Sequence, residues 1–187
     1  MSRGEHTKRI VLISGSLRSA STNTAVLRTA IDVAPEGVGC RLDDRLARLP
    51  MFNPDTDRLP LDMEVTRLRE TIHKADAILF STPEYAGALP GSLKNLLDWT
   101  IGDDQAGSID DKPVAWVNAS PRGATAAYYE LRTVLGYAHA HIIETACIHI
   151  PITPTMVGPD GLIADSEVRS ALAHVLVELV VATTEDH

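Results

Sequence analysis

Short apolar runs alternate along this chain with longer stretches in which apolar residues recur every three or four positions. The short runs predict buried strands, and the recurring positions predict amphipathic helices. Five strands are predicted, of which the second is a weaker segment: about Arg9 to Ser14, Cys40 to Leu46, Ala77 to Ser81, Val114 to Ala119 and Ile142 to Ile150.

Helical stripes lie between these runs and after the last one. They are Val26, Leu27, Ala30 and Ile31; Val65, Leu68, Ile72 and Ala75; Leu93, Leu96, Leu97 and Ile101; Tyr128, Leu131, Val134 and Leu135; and Val168, Leu172, Val175, Leu176 and Leu179. A Glu70–Lys74 pair at i, i+4 supports the second helix, about Met63 to Ala75. Strands alternating with helices favour an α/β fold, a parallel sheet covered by helices on both faces.

Size and composition favour one soluble domain over residues 1–187, because 187 residues suffice for a substantial core. No apolar run approaches the length needed to cross a bilayer, and the polar stretch from Met1 to Arg9 lacks the apolar segment of a signal peptide. We therefore expect a cytoplasmic protein with no membrane partner. The net charge of −8 argues against a nucleic-acid partner.

A hydroxyl-rich turn follows the first predicted strand and runs into the first helix. A helix N-terminus carries unpaired N–H groups and partial positive charge, so this turn is suited to bind an anion. Side-chain donors and one fixed charge add to it: Ser16, Arg18, Ser21, Thr22 and Asn23. Either Ser21 or Thr22 also fits a helix N-cap, but capping alone does not account for the other polar groups beside Arg18.

The commoner phosphate motifs are absent from the sequence. Neither G-x-G-x-x-G nor G-x-x-x-x-G-K-[ST] occurs, which disfavours a Rossmann dinucleotide site and a P-loop hydrolase. The G-x-S-x-G elbow of α/β-hydrolases is missing as well. The turn is therefore better suited to a terminal monophosphate than to a pyrophosphate.

A rigid loop rich in proline and glycine, Pro83 to Asn95, follows the third predicted strand. Open α/β sheets bind ligands at the carboxyl ends of such strands, although an ordinary strand-to-helix connection would look similar. Pro90 and Gly91 mark the start of the next helix.

Together these segments resemble the NADPH-dependent FMN reductases, a flavodoxin-like family that includes quinone, azo-dye and chromate reductases. The resemblance covers roughly residues 8 to 151 and rests on the segments Gly15 to Arg18 with Ser21 and Asn23, Pro83 to Tyr85, Pro90 to Trp99, and Lys112 to Gly123. It implies a three-layer sandwich, a five-stranded parallel sheet of order 2-1-3-4-5 with helices on both faces. The loops after strands one, three and four would then line one crevice.

The resemblance also implies FMN as cofactor and NADPH or NADH as co-substrate. The implied cofactor-binding residues are Ser16, Arg18, Ser21, Thr22 and Asn23 toward the phosphate, Pro83, Glu84, Tyr85 and Ala86 along the ring, and Ser120, Arg122 and Gly123 toward the pyrimidine side. Ala86 stands where the family often has Asn, which bears on substrate preference. Hydride transfer to flavin needs no protein base, so we interpret Glu84 as structural and expect no catalytic side chain.

The implied activity is a ping-pong cycle ending on a small-molecule acceptor such as a quinone, azo compound, chromate or free flavin. Two alternatives remain, a flavodoxin-type electron carrier and a flavodoxin-like regulatory module without cofactor. The family also implies a homodimer or homotetramer, and Trp99 could lie in that interface or in the core. In the implied strand order Cys40 and Cys147 lie roughly 19 Å apart on opposite edges, which predicts free thiols. His139, His141 and His149 lack partners at ligand spacing, so we expect no metal.

Overall fold

The computed structural model describes residues 7–103 and 105–185, so most of the polar N-terminal segment discussed above lies outside the described residues. The strands are β1 (Lys8–Ser14), β2 (Val38–Asp43), β3 (Ala77–Ser81), β4 (Pro113–Asn118), β5 (His141–Ile142) and β6 (Ile148–His149). The α-helices are α1 (Thr22–Asp32), α2 (Met63–His73), α3 (Gly91–Ile101), α4 (Thr125–Tyr137) and α5 (Ser166–Glu185). Within the described ranges, no helix is both long and apolar enough to pass through a bilayer.

The strands form a parallel sheet in the order β2-β1-β3-β4-β5, with β6 also pairing with β4. This order confirms the flavodoxin-like prediction. Ser14 at the end of β1 lies opposite Ser81 at the end of β3, so the loops after these strands leave the sheet at the same edge.

Alternate residues of the central strands enter two separate cores, one on each face of the sheet. On β1, Ile10 and Leu12 pack with α1 and α5, whereas Val11 and Ile13 pack with α2, α3 and α4. Burial on both faces explains why β3 is a continuous apolar run that ends in Ser81. The three-layer sandwich is therefore confirmed.

Most of the α-helices begin at a side-chain cap. Ser21 Oγ accepts from Thr24 N, Asp62 accepts from Glu64 N at 2.8 Å, and Asp165 accepts from Glu167 N at 3.0 Å. Helix α3 begins after Pro90 without a side-chain cap. Helix α4 also lacks one, because the residue before it is Ala124, which has a left-handed φ of 47° and no capping side chain.

The fifth predicted strand, Ile142 to Ile150, is wrong as a continuous element. It is interrupted by a 3₁₀ turn at Glu144–Ala146, so that Ile142 pairs with Val114 and Ile148 with Val117. Ile142 and Ile148 are six residues apart, whereas their partners Val114 and Val117 on β4 are three residues apart. The segment after α4 therefore contains three extra residues between the two pairs. The extra residues are accommodated by the turn, where Glu144 forms an ion pair with Arg132 of α4.

Smaller corrections concern the second strand and the third helix. Strand β2 ends at Asp43 because Arg45–Ala47 forms a 3₁₀ turn, so the predicted span of Cys40 to Leu46 is shifted. Ile101 is exposed in the last helical position of α3, whereas Trp99 is buried and donates from Nε1 to Pro50 O at 2.8 Å.

Both cysteines are free thiols, as predicted. Burial raises the pKa of Cys40 to about 11 and that of Cys147 to about 12. Burial thus disfavours the thiolate form of both side chains.

Candidate functional site

Hydrogen bonds join the ends of β1, β3 and β4 to the start of α1. Gly15 N donates to Ser81 O at 2.8 Å, and the Ser81 hydroxyl lies 2.7 Å from Val117 O and 3.0 Å from Asn23 Oδ1. A Cβ on Gly15 would lie only 2.2 Å from Thr82 Oγ1, so only glycine permits this close approach. The loops after β1 and β3 are thus in direct contact at the crevice.

The first loop (residues 15–21) is shaped by its own serines. Ser14 Oγ accepts from Ser16 N, and Ser16 Oγ accepts from Arg18 N, each at 3.3 Å. The Arg18 side chain is exposed and forms no ion pair with the residues that the structure describes. The loop thus carries an exposed guanidinium four residues before the start of α1, and no carboxylate of the described residues pairs with it.

Two of the predicted phosphate residues have structural tasks as well. Ser21 is the N-cap of α1, and the Asn23 side-chain oxygen is held by the Ser81 hydroxyl in a buried position. The N–H groups of Thr22 and Asn23 lie in the first turn, where no intrahelical carbonyl can pair with them. The donors available for an anion therefore include these amides, the Ser16 and Ser21 hydroxyl protons and Arg18.

The second loop (residues 82–89) forms a tight turn at its tip. Tyr85 and Ala88 exchange two backbone hydrogen bonds of 3.1 Å, and Ala86 and Gly87 between them have φ values of 53° and 73°. Two consecutive left-handed residues are typical of a type I′ turn. The turn leaves the Tyr85 side chain 48% exposed and free to contact a ligand.

The Glu84 carboxylate points toward α4. Its Oε2 accepts from Ala126 N at 3.0 Å and from Ala127 N at 3.2 Å, so Glu84 supplies the N-terminal cap that α4 itself lacks. The carboxylate also lies where the helix dipole favours negative charge. These contacts agree with the interpretation of Glu84 as a structural residue.

The third loop (residues 119–124) is held by Asn118. The Asn118 side chain accepts from Ser120 N at 3.0 Å and donates to Gly123 O. Ser120 Oγ accepts from Arg122 N at 3.2 Å, which repeats the Ser-x-Arg turn of the first loop. Arg122 is exposed and, within the described ranges, has no ion-pair partner.

Some residues that organise the site were not predicted. Tyr128 had been predicted only as part of an apolar stripe, yet its hydroxyl accepts from Thr82 N at 3.1 Å and lies 3.0 Å from Val117 O. Burial raises the pKa of this phenol well above its ordinary value. Glu130 accepts from Leu89 N at 2.7 Å. A tyrosine within a helical stripe was the available signal, whereas nothing in the sequence marked Glu130.

Three features that favour an anion lie at the edge of the sheet where the loops after β1 and β4 begin, in a chain whose net charge is −8. They are Arg18, Arg122 and the N-terminus of α1. A phosphate monoester suits this donor set, and the exposed Tyr85 and the backbone of the second loop offer a surface for a planar ring. The Glu84 carboxylate accepts its two backbone hydrogen bonds from α4 through Oε2.

Comparisons with known proteins agree with this geometry. The family model for NADPH-dependent FMN reductase matches residues 8–154. A relative described as an NAD(P)H-dependent FMN reductase of Pseudomonas aeruginosa is 34% identical over 173 residues, covering 91% of this chain and 92% of its own. An NADPH:quinone oxidoreductase of Arabidopsis thaliana is 30% identical over 177 residues, covering 91% of this chain and 89% of its own.

Among solved structures, the flavoenzyme FerB of Paracoccus denitrificans, an NAD(P)H:(acceptor) oxidoreductase, superposes with a TM-score of 0.82 at 25% identity. The match covers 95% of this chain and 98% of that protein.

Proposed function

The chain belongs to the NADPH-dependent FMN reductase family, and from this membership we propose that it oxidises NADPH or NADH through bound FMN and reduces a small acceptor. The hydrogen bonds that join the ends of β1, β3 and β4 to the start of α1 are the observation that carries the proposal. Because of them, the loops after these three strands leave the sheet at one edge.

The residues fit FMN in their donor chemistry. We assign the phosphate to Arg18, the Ser16 and Ser21 hydroxyls and the first-turn amides of Thr22 and Asn23. Charge-assisted hydrogen bonds of this kind are the strong ones in proteins. At Gly15 the first loop lies directly against the Thr82 side chain of the second loop.

The second and third loops would hold the ring. Backbone groups from Pro83 to Ala86 would lie along it, with the exposed Tyr85 against its face or edge. Ser120, Arg122 and Gly123 would face the pyrimidine side, where donors and positive charge stabilise negative charge on a reduced ring. When bound, FMN supplies the hydride-accepting chemistry, and the protein's task is to hold, orient and tune it.

A ping-pong order would follow if bound FMN exposed one face of its ring. Nicotinamide would occupy that face first and leave, and the acceptor would then take the same place. Quinones, azo compounds, chromate and free flavin are candidate acceptors, because each can meet an open ring without a dedicated acid or base. Several relatives are named quinone reductases, which makes a quinone the first acceptor to try.

The test is the visible spectrum of the purified protein before and after FMN is added, followed by anaerobic NADPH. We expect flavin bands that bleach rapidly, and initial rates with a quinone that give parallel double-reciprocal lines. Bands that persist in NADPH would favour the electron carrier. A colourless protein that ignores FMN would favour the cofactor-free module and overturn the proposal.

A further inference from the structure

The second loop is attached to α4 at three points, and carboxylates make two of them. Glu84 of the loop caps the first turn of α4 at Ala126 and Ala127, and Glu130 of α4 accepts from Leu89 N at the end of the loop. The exchange is reciprocal, since each element supplies a carboxylate to backbone amides of the other. The third attachment is the Tyr128 hydroxyl at the start of the loop.

These attachments matter because the tip of the second loop is weakly stabilised on its own. It consists of one two-residue turn closed by two backbone hydrogen bonds, and Ala86 adopts a left-handed φ that disfavours residues with a Cβ. A short hairpin of this kind is at best marginally stable without packing against another element. The bonds at Thr82 and Leu89 fix both ends of the turn to one rigid helix.

Helix α4 also begins directly after the third loop, so the same helix controls two of the three loops of the crevice. Without Glu84, its first-turn amides would be unpaired, because Ala124 provides no cap. The pair of carboxylates therefore sets the position of the second loop relative to the third.

We propose that Glu130, together with Glu84, is a positioning residue that holds residues 83–86 in the conformation that receives the flavin ring. The ligand named here rests on the proposed function, whereas the loop restraint itself exists in the apoprotein. Neither carboxylate contacts the reacting atoms, and both act through the backbone of the loop.

The experiment compares Glu130→Ala, Glu130→Asp and Glu130→Gln with wild type. Amide hydrogen exchange in the apoprotein reports the Leu89 N–H directly, and a fluorescence titration gives the FMN dissociation constant. We expect Glu130→Ala to lose protection at Leu89 and to weaken FMN binding about tenfold, the loss of one hydrogen bond to a charged acceptor. Glu130→Gln has a side chain of the same length that keeps an acceptor oxygen. It should therefore retain most of the Leu89 protection and most of the FMN affinity.

Glu130→Asp keeps the charge, but its side chain is one methylene too short to reach Leu89 N, so it should behave like the alanine variant. It tests the proposal if Glu130→Ala does not fold. Glu84→Ala should remove protection at Ala126 and Ala127 while leaving Leu89 less affected. The matched control is Glu167→Ala, which removes an exposed carboxylate from α5 on the opposite face of the sheet.

Unchanged Leu89 protection and FMN affinity in Glu130→Ala would overturn the proposal, as would a Glu130→Gln variant as impaired as the alanine variant. Loss of Leu89 protection with unchanged FMN affinity would also contradict it, because the bond would then not position the loop for the ring. If wild type itself bound no FMN, the proposed function would fail, while Leu89 exchange would still report whether Glu130 restrains the loop.

Discussion

At the scale of single residues, Arg18 gives the most direct test of the proposed phosphate site. Its guanidinium is exposed, and no described carboxylate neutralises it. Arg18→Ala should remove a charge-assisted contact of about 1.5–3 kcal/mol and raise the FMN dissociation constant by one to two orders of magnitude. The control in the same titration is Arg28→Ala, which removes an exposed arginine that belongs to α1. Equal constants for Arg18→Ala and wild type would refute the assignment.

Gly15 makes a prediction about the closeness of the first and second loops. A Cβ there would meet Thr82 Oγ1 at 2.2 Å and Thr82 Cβ at 2.7 Å. Gly15→Ala should therefore push the second loop away, lower the free energy of unfolding by about 1–3 kcal/mol and weaken FMN binding. Urea unfolding and FMN titration measure the two effects.

Gly91→Ala is the natural comparison, since nothing lies within 4 Å of a Cβ at that position. It should leave the free energy of unfolding unchanged or slightly higher. A Gly15→Ala variant as stable as Gly91→Ala would mean that the loops can separate without cost.

At the scale of elements, the type I′ turn of the second loop is strained by the side chain of Ala86. Its φ of 53° is a region that Gly and Asn adopt more readily than Ala. Ala86→Gly or Ala86→Asn should therefore raise the free energy of unfolding of the apoprotein by up to about 1 kcal/mol. Gly87→Ala, at a φ of 73° with open space around it, should lower it by a similar amount. Thermal unfolding of the three variants and of wild type measures these changes in stability. An Ala86→Asn variant less stable than wild type would contradict the turn geometry.

How far the sequence predicts an element depends on whether local or distant contacts determine it. Ala77–Ser81 could be predicted because a buried parallel strand is apolar on both faces and needs no other signal. The break between β5 and β6 could not, because it depends on Arg132 of α4 and on the register with β4. The same holds for the cap of α4, whose carboxylate lies 42 residues away from Ala126 in the chain.

The residues of the candidate site also differ in how far the sequence alone reveals them. Residues that we propose to act through their own side chains, such as Arg18 and Tyr85, belong to short motifs and are visible in the sequence. Residues that act by holding a backbone, such as Glu130 and Asn118, have no local pattern, since any helix or strand end can carry a Glu or Asn. The tertiary contact at Leu89 is needed to recognise Glu130, and the conformation of the turn at Gly123 is needed to recognise Asn118.

At the scale of the whole molecule, we expect a homodimer or homotetramer in solution. The outer face of α4 exposes Tyr129 by 74% and Tyr137 by 81%, two aromatic side chains separated by about two helical turns. Exposed tyrosines are enriched at protein interfaces, because the ring buries apolar area and the hydroxyl keeps a polar partner. Equilibrium sedimentation should therefore give two or four times the 20.2 kDa of the chain.

A Tyr129→Lys/Tyr137→Lys double variant should lower that mass, because it would place charge in the interface. Val177→Lys, at a 42% exposed position on α5, should leave the mass unchanged. A wild-type mass of 20.2 kDa would show that the chain is a monomer and that the oligomer prediction is wrong. A mass lowered only by Val177→Lys would place the contact on α5. Since α4 also carries Glu130 and begins after the third loop, an interface on α4 would couple assembly to the proposed flavin site. The double variant should then also weaken FMN binding.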